Sequence, residues 1–91
     1  MLQPLSELKY STGVLIAALE SSDADKAHEA VSVMLMQFMH KLADDDVAAA
    51  QFFPVLDRLE QLIAQSQLTA ALRQAATFDR QLGEIIAMIS P

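Results

Sequence analysis

Residues 68–89 read LTAALRQAATFDRQLGEIIAMI, and the fold class turns on this stretch. Leu68, Ala71, Ala75, Phe78, Leu82, Ile85 and Ile89 recur at alternating steps of three and four, the spacing that lines side chains along one face of an α-helix. Sustained over three heptads, the stripe suits a coiled-coil seam, and Ala71 and Ala75 on it let a neighbouring helix approach closely. The predicted helix is about 33 Å long at 1.5 Å per residue. One apolar face must be covered, so this element predicts others to pack against it.

Upstream, Phe52, Leu56, Leu59 and Ile63 form a second stripe, widened by Val55 and Leu62. Continuing its phase beyond Ile63 selects Ser66, Ala70, Arg73 and Thr77, which are mostly polar. The change of face predicts a turn at Gln65-Ser66-Gln67. No Gly or Pro stands there, so one long bent helix is the alternative. Pro54 removes a backbone donor and clashes with the carbonyl of Ala50, which predicts a kink or break in this third segment.

The first half of the chain reads as two more helices. Pro4 suits a first helical turn, and Leu5, Leu8, Thr12, Leu15 and Leu19 carry a stripe to about Glu20, with Thr12 and Gly13 weakening its middle. Ser21-Ser22-Asp23 offers capping oxygens for a tight connection. The second helix places Ala27, Val31, Met34, Leu35, Phe38 and Leu42 on one face and ends near Ala43, before Asp44-Asp45-Asp46, which can cap the third helix. Four helices with short connections give the expected architecture: one all-α domain over 1–91, an antiparallel up-and-down bundle of four helices, the third kinked or broken at Pro54.

Totals narrow the function. Ninety-one residues make one small domain with limited stability to spare, which association would increase. Six Lys and Arg against twelve Asp and Glu give −6, and residues 1–46 alone hold three cations and eight anions, or −5. Such a charge repels phosphate backbones and anionic membranes, so neither nucleic acid nor a membrane is an expected partner. A basic partner surface would meet the N-terminal half. No run of about 18 apolar residues occurs, and Glu7 and Lys9 interrupt the N-terminus as a secretory signal. With no cysteine, the reading points to the cytoplasm.

Chemistry is not legible in the residues. His28 and His40 lie twelve positions apart on one helix, about 18 Å, too far to share a metal. Asp25-x-x-His28 has the spacing of a di-iron helix, but Gln37 stands where a second carboxylate would precede His40. The Asp44–Asp46 run has neither the Gly turn nor the distal Glu of a calcium loop. No nucleophile elbow, phosphate loop or zinc-protease motif is present. Asp79, beside the stripe of the last helix, is expected to pair with a nearby Arg. No enzyme, cofactor, catalytic residue or metal ligand is expected.

Val33-Met34-Leu35-Met36-Gln37-Phe38-Met39 is the anomaly, apolar nearly all the way round. Val33 and Met36 fall well outside the main stripe, and such a helix must be enclosed by others or meet another molecule. Met side chains suit either a core or an adaptable interface. Phe53, off its own stripe beside Pro54, extends the candidate surface. Val33, Met36, Met39 and Phe53 are therefore the candidate protein-interaction residues. The expected function is a helical interaction protein, either a homodimer or a small adaptor or chaperone holding a partner's amphipathic helix. A bundle binding a small molecule or acyl chain in a Met-lined cavity is one alternative, and an acidic regulator occluding a basic surface is another.

From Leu15 to Leu42, a hairpin with the Ser21-Ser22-Asp23 turn and Leu or Met stripes on both sides, the chain resembles the small acidic helical chaperones of bacterial flagellar and type III export systems. That resemblance covers about a third of the chain and contains no diagnostic motif. It implies a bacterial protein that binds the helical end of a secreted subunit before export, and it assigns no residue a role.

Overall fold

The computed structural model describes residues 2–90, as four helices: α1 (Leu2–Glu20), α2 (Ala24–Lys41), α3 (Asp46–Ala64) and α4 (Leu68–Ile89). α1 packs against α2 and α4, and α3 packs against the same two, so the helices succeed one another around the bundle in chain order. The connections, 21–23, 42–45 and 65–67, are too short for anything but antiparallel neighbours. The molecule measures 37 × 22 × 16 Å. Among the described residues no helix is long and apolar enough to cross a membrane.

Each stripe read from the sequence turns inward. Leu8, Thr12 and Leu15 of α1, Val31 and Met34 of α2, Leu56 and Leu59 of α3 and Phe78 and Leu82 of α4 are buried almost completely. Each large apolar side chain so removed from water contributes about 1.5–3 kcal/mol. Phe52 and Phe78 meet edge to face, with ring centroids 5.7 Å apart, and join α3 to α4 at mid-height. Thr12, the polar member of the α1 stripe, satisfies itself: its Oγ1 donates to the Leu8 carbonyl at 2.7 Å.

Two of the turns share one construction. In the first, Ser22 takes a left-handed φ of 55°, while the Asp23 N–H donates to Ala18 O and the Ser22 N–H to Leu19 O. In the third, Ser66 takes φ 59°, with Gln67 N–H to Leu62 O and Ser66 N–H to Ile63 O. This pair of bonds closes a helix by turning its last carbonyls back on themselves. The third turn separates α3 from α4, which rules out one long bent helix. Asp23 and Asp45 then start α2 and α3, their carboxylates accepting from the N–H of Lys26 and Ala48, each at 3.0 Å. Each such cap is worth about 1 kcal/mol. The acidic run thus divides its work: Asp45 caps α3, and Asp46 adds negative charge to its first turn.

Two expectations are corrected. Of the kink or break predicted at Pro54, the break does not occur, for α3 runs uninterrupted from Asp46 to Ala64 with Pro54 inside it. Pro54 and Ala50 both lie on the exposed side of the helix, so the carbonyl that loses its partner faces water, which can hydrate it. Asp79 pairs with Lys9 of α1, Nζ to Oδ1 at 3.0 Å, and not with an Arg. The Lys9 stem passes Gly83, where a Cβ would stand 3.4 Å from its Cε, so the missing side chain leaves a flat bed for it. Smaller differences lie at helix ends: α1 starts at Leu2 rather than Pro4, and α2 stops at Lys41 rather than near Ala43.

Candidate functional site

α2 has neighbours on two sides only, α1 and α3, with the core between them. Its fourth side faces outward, and the residues there are not those of an ordinary solvated face. Val33, Met36 and Met39 are 41%, 60% and 62% exposed. Each step of three residues turns an α-helix by 300°, so these three side chains fan across about 120° of the outward surface. Met34, within the same run, is fully buried. The Met-rich segment is therefore divided, with one methionine in the core and two outside it.

Phe53 joins this belt from α3. It is 46% exposed, and its ring lies 6.0 Å from that of Phe38 in a tilted arrangement across the α2–α3 seam. Phe38 itself is buried, so Phe53 covers the core with one edge and offers the rest outward. Val33, at the other end of the belt, borders α1. There Tyr10, Val14 and Ala17 of α1 and Ala30 and Val33 of α2 line an open groove of about 550 Å³ whose α2 rim carries Asp23, Lys26 and Glu29. The belt and the groove form one apolar band across three helices, and all four candidate interaction residues belong to it.

Tyr10 and Val14 were not among those candidates. Both are exposed, and the signal for them was present: no charged residue stands between Lys9 and Glu20, so the outward side of α1 has no solvated charge along nearly three turns. Gly13 on this side has open space before it, with nothing within 4 Å of where a Cβ would stand. Other exposed apolar side chains, Leu2, Val47, Met88 and Ile89, sit at helix ends, where scattered apolar residues are ordinary.

The polar groups offer little chemistry. His28 and His40 are both exposed on α2. No three His, Cys, Asp or Glu side chains come together as metal ligands among the described residues. Ser11 is buried and lines the groove, and Tyr10 points outward. Gln37 Oε1 is buried with no hydrogen-bond partner, one turn beyond Val33 on the side of α2 that faces α1. Two acids, Asp23 and Glu29, lie at the rim of the groove. Compared with protein-family models, curated proteins and solved structures, the chain has no match.

Proposed function

We propose that this protein is a non-enzymatic, helical protein-interaction module, an adaptor or chaperone whose apolar band receives an amphipathic helix of another polypeptide. One observation carries the reading: Val33, Met36, Met39 and Phe53 lie outside a core that is already complete without them. A contiguous apolar patch of this kind is what a soluble domain keeps only for a contact. The groove beside Val33 has the form of a helix-receiving trough, apolar along its floor and polar along one rim. Flexible methionines at its crest adapt to more than one apolar sequence. A cavity for an acyl chain finds less support, because Met36 and Met39 point away from the interior.

Met36→Glu tests this reading. In a single copy of the chain the substituted side chain sits in water, so at concentrations too low for self-association the variant is expected to keep its helical circular dichroism and to melt within about 0.5 kcal/mol of the parent. Titration with a designed amphipathic peptide, Leu on one face and Lys on the other, is expected to show the parent binding and the variant binding at least about tenfold more weakly, near 1.4 kcal/mol. Unfolding of the variant would place Met36 in the core. Equal affinity of parent and variant would remove the band from function.

A further inference from the structure

We infer that the apolar belt of α2 is covered by a second copy of this chain, the two α2 helices packing antiparallel across a two-fold axis so that Val33 meets the partner's Met36 and Glu29 meets the partner's His40. The inference rests on the protein-binding reading above and names the occupant. Glu29, Val33, Met36 and His40 are all exposed and succeed one another at steps of four, three and four, which places them on a single outward stripe. Reversing that stripe about the point between Met34 and Leu35 exchanges Glu29 with His40 and Val33 with Met36. An isologous interface needs this property, since one surface must complement itself.

Charge favours the antiparallel sense. A parallel pair would set Glu29 against the partner's Glu29, whereas the antiparallel pair sets a carboxylate against an imidazole whose ring N–H can donate to it. Residues 30–39 carry no charge, so nothing ionised is trapped at the centre of the contact. The acid at the far end of the stripe, Asp25, is exposed, and salt screens its repulsion from the partner's acids there. Together with Tyr10 and Val14, the belt presents exposed large apolar side chains on three helices, the kind of surface from which a standard interface of about 800 Å² per partner is built.

Sedimentation equilibrium of the full chain, at concentrations up to about 100 μM, tests the inference, an interface of this size being expected to hold at micromolar Kd or tighter. The expected mass is twice the monomer's 9.9 kDa. Glu29→Lys and His40→Glu should each weaken association about fivefold, because symmetry makes every substitution count twice. The double substitution rebuilds the pair with its signs exchanged and should bring association back to within about twofold of the parent. Circular dichroism of each variant confirms the fold, both positions being exposed. A monomeric parent overturns the inference. A dimer whose double variant is as weak as the singles overturns the register. If the parent is monomeric while the amphipathic peptide still binds in a Met36-dependent way, the second copy is excluded and the protein-binding reading stands.

Discussion

Phe78→Ala is expected to lower stability by about 3–5 kcal/mol, the range for removing a large buried aromatic side chain. Phe78 is 1% exposed and is the largest of the fully buried side chains. It stands at the middle of α4, whose buried stripe meets α1 on one side and α3 on the other. The loss has two parts: the transfer of the ring from its apolar site, and a cavity that helices fixed by three tight turns cannot easily close. A third, smaller part is the edge-to-face contact with Phe52. A domain of this length has a total stability of about 5–14 kcal/mol, so the variant should melt some tens of degrees lower or fail to fold at all. Met88→Ala on the same helix is the control. With Met88 83% exposed, its effect should stay within about 0.5 kcal/mol. Comparable losses for the two substitutions would mean that α4 does not present this face to the core.

Pro54→Ala is expected to raise stability by about 1–3 kcal/mol, since proline in a helix interior costs about 3 kcal/mol relative to alanine. The substitution also returns a donor to the carbonyl of Ala50. Some of the gain is offset because the unfolded chain recovers freedom that proline denied it. Both residues face outward, so the change disturbs no core contact. Thermal or denaturant unfolding followed by circular dichroism measures the difference. A loss of stability would show that the course of α3 through Pro54 is required by the packing of its neighbours, Phe53 against Phe38 first among them.

Much of the bundle was legible because it is written in local terms. The α4 stripe, the phase change at Gln65-Ser66-Gln67 and the capping acids at Asp23 and Asp45 each depend on residues within a few positions of one another. What escaped the sequence depends on which helix lies beside which. The loss of a hydrogen bond at Pro54 could be read, but not that Ala50 turns the orphaned carbonyl toward water. Asp79 has Arg80 and Arg73 close by in sequence, yet its partner Lys9 lies 70 positions away, brought to it only when α4 closes the bundle against α1.

The candidate surface divides in the same way. Val33, Met36 and Phe53 stood out because they break the phase of their stripes. Periodicity alone could not say whether another helix covered them. That answer comes from the order of the helices around the bundle, which gives α2 two neighbours and leaves its outward side open. Tyr10 and Val14 escape periodicity because an uncharged face is marked only by what it lacks.

Within one short segment of α2, Met34 lies inside the fold and Met36 and Met39 lie outside it, and the proposed function depends on that division. Oxidation of methionine to sulfoxide varies with exposure, and the chain carries its own standards in buried Met34 and exposed Met88. In dilute protein treated with hydrogen peroxide and read by peptide mass spectrometry, Met36 and Met39 should oxidise at rates close to that of Met88, while Met34 resists until the protein unfolds. If Met36 and Met39 resist together with Met34 in protein that sedimentation shows to be monomeric, they belong to the interior, and the apolar band is not there.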